Sequence, residues 1–306
     1  MLNLLKKPAR NPTPFLAILL ILSLAAAAYL SWREPALAPP EITDRATPAI
    51  HPPAAGSPPV FEEEPVLLPK VAPADPKPPR PLPPVEPRKP KMAIVIDDMG
   101  YRQSEGAALL ALELNLSFSF LPFAPHTAEQ AQEAQRRRRD ILLHLPLEAT
   151  DAKWQPGPGT LYVSMSAAQQ RATFASNMAA VPMAIGINNH MGSKFTENHR
   201  AMTVLLNLVR ENHLFFVDSV TTARSVAAPL AETLGIKTVR RHIFLDNIPE
   251  KEKISDQIMA GIALAENKGW TVVIGHPYPA TLAALRELQD LLNRRVELVG
   301  VHQLVR

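Results

Sequence analysis

From Lys91 to the C-terminus, short apolar runs rich in β-branched residues alternate with longer segments of helical character. This alternation is typical of a parallel sheet whose strands are joined by helices. Eight runs predict strands, over Met92–Asp97, Leu116–Leu121, Ile141–His144, Ala184–Asn188, Leu214–Asp218, Lys237–Leu245, Thr271–Gly275 and Val296–Val299. The sequence therefore predicts an α/β fold over residues 92–306, a deformed (β/α) barrel, with an open doubly wound sheet as the alternative.

Helix signals lie between these runs. Thr127-Ala-Glu-Gln130 and Ser166-Ala-Ala-Gln169 predict capping boxes, and Gly269 is predicted to end a helix that begins near Glu250. No glycine-rich phosphate loop follows any of the predicted strands, which argues against a nucleotide-dependent enzyme.

The first 91 residues have a different composition. Residues 1–13 form a basic tail, and residues 14–32 form an apolar run long enough to be a membrane anchor, or a signal segment that is cleaved. Residues 33–91 hold 19 of the 32 prolines, all of them between Pro35 and Pro90. Proline lacks the N–H that helices and sheets need, so we expect an extended linker.

Bulk charge and cysteine content exclude some functions. The formal net charge is only +3, and the Arg136–Arg139 run falls at the end of a predicted helix, where basic side chains are commonly solvated. We therefore predict no nucleic-acid partner. The chain has no cysteine, which rules out disulfides and thiol chemistry.

Polar residues stand where six of the predicted strands end. The carboxyl ends of parallel strands meet at one edge of the sheet, so these side chains are expected to share a cleft. The stretches concerned are IDDMG after the first strand, HLPLE, INNHMGS, FFVDS, FLDN and IGHPYP. Their carboxylates and imidazoles are the ligand types of a divalent cation such as zinc.

The adjacent Asp97 and Asp98 pose a specific question, because two carboxylates repel each other at the exit of a buried strand. A cation would neutralise one of them, and the other could then act as a base toward a water molecule activated by the metal. A helix cap or a turn before Gly100 is the structural alternative.

Taken together, IDDMG, HLPLE, INNHMGS, FFVDS and IGHPYP resemble the motifs of the divergent polysaccharide deacetylases, a family of bacterial envelope proteins. The resemblance covers Met92 to Val305 and implies a deformed (β/α) barrel of the polysaccharide deacetylase type. It also implies metal-dependent removal of acetyl groups from an N-acetylated sugar polymer. By resemblance, Asp97 matches the general base, Asp98 a metal ligand and His276 the general acid.

Two departures from the wider deacetylase pattern affect the metal site and the base. Where those enzymes have His-x-x-x-His, this chain has His144-Leu-Pro-Leu-Glu148, so the second nitrogen ligand is expected to come from His190 instead, with Glu148 as the alternative ligand. There is also no Arg-x-Pro-Tyr segment to orient the base, and Arg240 and Arg241 precede a different strand.

The predicted site thus has Asp97 and His276 as catalytic residues and Asp98, His144 and His190 as ligands of a divalent metal, with zinc expected. A further set is predicted to contact the substrate or support the site: Glu148, Asn188, Asn189, Asp218, Asp246 and Trp154. For Asp218 and Asp246 the alternative is a helix cap or loop brace, and for Trp154 it is packing within its loop. The predicted function is hydrolysis of an N-acetylated envelope glycan. The alternative is an inactive glycan- or protein-binding scaffold with the same fold.

The predicted location follows from the N-terminal segments. A basic tail before residues 14–32 favours a single-pass protein of the bacterial inner membrane, with the C-terminal domain in the periplasm. Export after signal cleavage is the alternative. The partners expected are the glycan, the membrane through the N-terminal helix, and an envelope protein that could bind the linker.

Overall fold

The structure, a computed structural model, describes residues 89–306. The predicted basic tail and membrane segment, and the predicted linker except for its last three residues, lie outside that range. Among the residues described, no helix has both the length and the apolar composition that a membrane span requires.

The described residues form one parallel sheet that curls into a half-barrel surrounded by helices, which confirms the predicted fold class. The order along the sheet is β6-β5-β4-β3-β2-β1-β8-β7, with β9 paired to β1. The strands are β1 (Lys91–Met99), β2 (Ser117–Phe120), β3 (Ile141–Leu147), β4 (Gly186–Met191), β5 (Phe215–Asp218), β6 (Thr238–Arg240), β7 (Ile243–Phe244), β8 (Trp270–Gly275) and β9 (Glu297–Leu298).

The prediction of one strand over Lys237–Leu245 is wrong, because this segment forms β6 and β7 at opposite ends of the sheet order. The change of partner occurs between two consecutive residues. The Arg241 N–H donates to the Asp218 carbonyl oxygen at 3.0 Å, whereas the His242 N–H donates to the Val272 carbonyl oxygen at 2.9 Å. The chain thus joins the two edges of the curled sheet covalently, without a ladder between β6 and β7 among the described residues.

The helices cover the outside of the sheet. Ser166 and Gln169 form the predicted capping box, and Gly269, with a left-handed φ of 83°, ends the long helix as predicted. The capping box predicted at Thr127 is wrong, because its hydroxyl donates to the Leu121 carbonyl oxygen at 2.5 Å instead. The helices are α1 (Gln103–Leu110), α2 (Thr127–Arg136), α3 (Ala167–Ala180), α4 (Ser193–Glu197), α5 (His199–Glu211), α6 (Ala227–Thr233), α7 (Lys251–Lys268), α8 (Pro279–Glu287) and α9 (Gln289–Arg295), followed by a 3₁₀ turn at Val301–Gln303.

The two faces of the sheet bury separate apolar clusters, because alternate side chains of a strand point to opposite sides. The larger cluster lies between the sheet and the helices. The smaller one fills the concave inside, with members that include Ala93, Val95, Leu142, Val217, Val272 and Ile274. Continuing these inward rows by two residues leads to Asp97 after Val95, His144 after Leu142 and His276 after Ile274. The half-barrel therefore ends in a polar layer at one rim.

Candidate metal centre and active site

The polar layer gathers the strand-end residues from β1, β3, β4 and β8. All the strands that supply them are parallel, so their carboxyl ends lie at the same rim. The residues brought together are Asp97, Asp98, His144, Asn188, His190 and His276.

A local irregularity in β1 explains how both adjacent aspartates reach the site. Consecutive residues of a regular strand face opposite sides, so Asp98 would point away from the concave side that Asp97 faces. However, the pairing of β1 with β2 shifts register between Ile96 and Met99, and Asp98 has a left-handed φ of 52°. A bulge of this kind re-aims a side chain, and here it turns Asp98 toward the same rim.

Asp98, His144 and His190 form a compact triad of possible metal ligands. Asp98 Oδ1 lies 3.2 Å from His144 Nε2 and 3.0 Å from His190 Nδ1, and the two imidazole nitrogens are 3.1 Å apart. In a tetrahedral zinc site with ligands at about 2.0–2.1 Å, neighbouring ligand atoms are separated by about 3.3–3.4 Å. The triangle is therefore the right size to form one face of such a site.

The bonding state of Asp98 also fits a cation. Its Oδ1 atom is buried and makes no hydrogen bond of acceptable geometry, although two imidazole nitrogens lie beside it. Burial alone would raise the pKa of Asp98, but the charge of His190 and the close nitrogens of His144 and His190 hold it well below its usual range. An ionised, buried carboxylate oxygen facing two nitrogens is a donor set that a divalent metal satisfies.

Asp97 lies beside the triad and differs from Asp98 in its electrostatics. Its two carboxylate oxygens accept from Asn188 Nδ2 at 2.7 and 2.9 Å, and its Oδ2 atom lies 3.8 Å from His144 Nε2. Burial raises the pKa of Asp97, and the nearby charges of His144 and His276 offset this only in part. The two neighbouring carboxyl groups thus have pKa values shifted in opposite directions, as separate roles require.

His276 also lies next to the triad. Its Nε2 atom lies 3.9 Å from Asp98 Oδ2, while its Nδ1 atom is 2.9 Å from Asp246 Oδ1. Burial would lower the pKa of His276, but the charge of Asp246 and its hydrogen bond raise it to about 9. Asp246 can approach this closely because Gly275 has no side chain, and a Cβ there would lie 3.2 Å from the carboxylate.

Four of the predicted site residues bind elsewhere. Glu148 Oε1 pairs with Lys194 at 2.6 Å and its Oε2 accepts from the Val163 N–H at 2.7 Å, so it anchors a loop and is not part of the triad. Asp218 accepts from the Val220 N–H and from Ser225, which matches its structural alternative as a loop brace.

Asn189 and Trp154 likewise make local contacts. Asn189 accepts from the Ser219 N–H at 2.9 Å and donates to the Met191 carbonyl oxygen at 2.8 Å, so it connects the end of β4 with the loop after β5. Trp154 lies in the loop after β3, with Lys153 Nζ 5.3 Å from its ring centroid. Arg240 Nε lies 3.7 Å from Asp218 Oδ2, and Arg241 donates to the carbonyl oxygens of Ser219 and Val220.

Two residues of the site were missed by the sequence analysis. Ser119 donates to Asn188 Oδ1 at 2.5 Å, and Thr281 donates to Asp246 Oδ2 at 2.7 Å; both are fully buried. A signal existed for Ser119, because the Ser-Phe-Ser-Phe run of β2 alternates polar and aromatic residues, which places both serines on the concave face. Thr281 lies in α8, where the sequence alone gives no reason to connect it with Asp246.

Comparisons with known proteins identify relatives of this chain and a solved structure with its fold. An uncharacterized protein of Haemophilus influenzae is 41% identical over 218 residues, which are 71% of this chain and 77% of that protein. The uncharacterized protein YibQ of Escherichia coli is 37% identical over 215 residues, or 70% of this chain and 67% of that protein. A crystal structure of an uncharacterized protein from Agrobacterium tumefaciens has the same fold, with a TM-score of 0.68 at 22% identity, over 73% of this chain and 92% of that one.

A sequence profile identifies the family. The profile described as divergent polysaccharide deacetylase matches residues 94–305, which include all five motifs on which the resemblance was based. The resemblance found in those motifs is thereby confirmed, and the chain belongs to the divergent polysaccharide deacetylase family.

Proposed function

We propose that the domain is a metal-dependent deacetylase that removes acetyl groups from an N-acetylated amino-sugar polymer of the bacterial cell envelope. The observation that carries the proposal is the ligand triad of Asp98, His144 and His190, with Asp97 and His276 each within 4 Å of one of its members. A divalent cation in the triad, proposed to be zinc, would lower the pKa of a coordinated water and polarise the acetamide carbonyl.

Asp97 is proposed as the general base. Its carboxylate lies next to the triad without being one of the three ligands, and the Asn188 amide fixes its orientation. Asp97 can therefore accept a proton from the attacking water. Burial raises the pKa of Asp97, which makes it a stronger base than an exposed aspartate. Attack on the acetamide carbonyl carbon then forms the new C–O bond of acetate.

His276 is proposed as the general acid. With a pKa of about 9 it carries a proton at neutral pH, and Nε2 is the nitrogen that faces the site because Nδ1 is bonded to Asp246. When the C–N bond breaks, the sugar nitrogen needs a proton to leave as an amine, and His276 Nε2 is placed to donate it.

Exposed apolar side chains in the loops around the site are evidence in favour of a carbohydrate substrate. Of the six large apolar side chains exposed within residues 89–306, four lie in loops that follow β1, β2, β3 and β7: Tyr101, Phe123, Tyr162 and Ile248. Exposed apolar side chains gathered around a polar cleft are typical of a ligand site, and flat aromatic rings suit the apolar faces of sugar rings. Burial and the charge of Asp98 raise the pKa of Tyr101, so its phenol stays neutral beside the site.

Metal analysis and acetate release test the proposal on the 306-residue chain purified in detergent. We expect about one divalent ion per chain, lost in Asp98→Ala and His190→Ala but retained in the matched control His199→Ala, whose imidazole is exposed on α5. Acetate release from chitooligosaccharides or peptidoglycan fragments should be abolished in Asp97→Asn, which keeps the metal. Stoichiometric metal without acetate release from any envelope glycan would favour the inactive scaffold instead.

The location is part of the proposal and has its own test. We propose a single-pass inner-membrane protein whose residues 14–32 anchor the domain in the periplasm. Protease added to spheroplasts should then digest the domain, while the first 13 residues stay protected. Release of the domain in soluble form would instead indicate that the N-terminal segment is cleaved.

A further inference from the structure

The Asn188 side chain lies at the centre of the polar layer and connects the base with the metal triad. It is fully buried in β4. Its Oδ1 atom is 2.9 Å from His144 Nδ1 and accepts from Ser119 Oγ, while Nδ2 donates to both oxygens of Asp97 at 2.7 and 2.9 Å. Every polar atom of this one amide is therefore engaged with a residue of the site.

The orientation of the amide follows from its partners. An ionised carboxylate only accepts hydrogen bonds, so the NH₂ group of Asn188 must face Asp97. The amide oxygen then faces His144, and an oxygen only accepts, so the proton of the neutral His144 ring must be on Nδ1. The lone pair is then on Nε2, which lies 3.2 Å from Asp98 Oδ1 in a geometry that makes no hydrogen bond, so Asp98 does not compete with Asn188 for the ring proton.

We infer that Asn188 is a positioning residue that orients Asp97 and selects the metal-binding tautomer of His144 through a single amide. The inference rests on the proposed function for its catalytic consequence, but its structural part concerns contacts that exist without the metal. It also accounts for the missing arginine. The chain has no Arg-x-Pro-Tyr segment, and the Asn188 amide instead holds both oxygens of Asp97.

Two substitutions separate the two roles of the amide. Asn188→Leu is similar in size and removes both roles, so Zn²⁺ affinity should fall about 10- to 100-fold, the usual effect of losing the partner of a ligating histidine. Asn188→Asp keeps an acceptor for His144 but presents oxygen instead of NH₂ to Asp97. It should retain Zn²⁺ binding, while acetate release falls about 100-fold or more because the base is no longer held.

A matched control is available one residue along the chain. Asn189 makes its hydrogen bonds to the loops after β4 and β5 and contacts neither Asp97 nor His144 in the structure. Asn189→Asp introduces the same chemical change nearby, and it should leave both Zn²⁺ affinity and the His144 tautomer unchanged. Thermal unfolding of each variant reports how much folding stability the substitution costs.

The decisive readout is the ¹⁵N spectrum of the imidazoles in the metal-free chain, recorded at a pH where the rings are neutral. In the wild type, the His144 signals should show a protonated Nδ1 and an unprotonated Nε2; in Asn188→Leu they should shift toward a mixture of tautomers. An unchanged tautomer together with unchanged Zn²⁺ affinity in a folded Asn188→Leu variant would overturn the inference.

The same measurements distinguish this inference from the proposed function. If the wild type binds Zn²⁺ but releases no acetate, the proposed function fails, whereas the affinity and ¹⁵N comparisons still decide the role of Asn188. If Asn188→Leu does not fold, Ser119→Ala takes its place, because it removes the other donor to Asn188 Oδ1. A smaller loss of Zn²⁺ affinity and a partial tautomer shift are then expected, and no change in either would count against the inference.

Discussion

Two aspartate–histidine pairs lie at opposite ends of the half-barrel and use the same hydrogen bonds. Asp246, after β7, accepts from the backbone N–H of His276 at 2.6 Å and faces its Nδ1 at 2.9 Å. Asp140, before β3, accepts from the backbone N–H of His302 at 2.9 Å and faces its Nδ1 at 2.7 Å. Each carboxylate also lies against a glycine that leaves room for it, Gly275 or Gly300.

The surroundings of the two pairs are different. The His276 side chain is only 6% exposed and its Nε2 lies 3.9 Å from Asp98, whereas the His302 side chain is 49% exposed at the far end of the sheet. An aspartate–histidine pair is therefore not in itself evidence of an active site. What distinguishes His276 is burial and the groups that its second nitrogen faces.

The largest expected difference between the pairs is in catalysis. His276→Ala should lower acetate release by about 10²- to 10⁴-fold, because it removes the proposed general acid. His302→Ala deletes the same side chain from the matching pair and should leave the rate unchanged. Steady-state rates on chitooligosaccharide, with metal content measured for both variants, test this. Equal losses of rate in the two variants would mean that damage to the fold at either end lowers activity, and His276 would then have no distinct catalytic role.

Removing the carboxylates should separate the pairs by stability. Asp246→Ala leaves the His276 N–H, its ring and the Thr281 hydroxyl without their buried partner, at a cost of about 3–5 kcal/mol in the free energy of unfolding. Asp140→Ala should cost about 1 kcal/mol, because water can reach the half-exposed His302. Urea denaturation of the metal-free chains measures both values. Similar costs would show that burial is not what distinguishes the two pairs.

The pH dependence of stability should come from the buried pair. The pKa of His276 is raised from 6.5 to about 9, so this group stabilises the fold fully below pH 6.5, and the contribution of about 3 kcal/mol is lost as the pH rises through 9. The pKa of His144 is also raised, so His144 changes the stability with pH in the same direction. The contribution of His276 is therefore obtained as the difference in stability between the wild type and Asp246→Ala at each pH. Unfolding of the metal-free chains should therefore be measured from pH 6 to 10, with Asp140→Ala as the control. An identical slope in the wild type and Asp246→Ala would contradict this assignment.

The sequence predicted the residues of the site better than the contacts between them. Asp97, His144 and His276 each follow an inward-facing apolar residue by two positions. The period of two in a strand therefore predicts that all three side chains lie at one rim. Asp98 breaks that period. It reaches the site only through the bulge and its left-handed φ, which apolar patterning does not reveal.

The errors have physical causes as well. The stretch between residues 237 and 245 has β-forming residues on both sides of Arg240, Arg241 and His242, so it looks like one strand, yet its partners change at Arg241 and His242 when the curled sheet brings its two edges together. The partnership of Asp246 with His276 joins β7 to β8 and depends on the order of strands in the sheet. The order in which strands pair is a long-range property of the fold. A local sequence pattern could therefore suggest Asp246 as a candidate, but it could not decide whether Asp246 braces a loop or belongs to the active site.

The smallest expected effect concerns a further hydrogen bond of the buried pair, the one between Thr281 and Asp246. Thr281 donates to Asp246 Oδ2 at 2.7 Å, so Thr281→Val should cost about 2 kcal/mol, the usual value of a bond to a charged group, while His276 keeps its partner and acetate release falls only slightly. Thr203→Val is the control, because that hydroxyl bonds only to the His199 carbonyl oxygen of its own helix, and its loss should scarcely change the denaturation midpoint. If Thr281→Val were as damaging as Asp246→Ala, the threonine would hold the carboxylate in place. The buried pair would then be a three-residue unit, and its likeness to Asp140 and His302 would end at the hydrogen bonds they share.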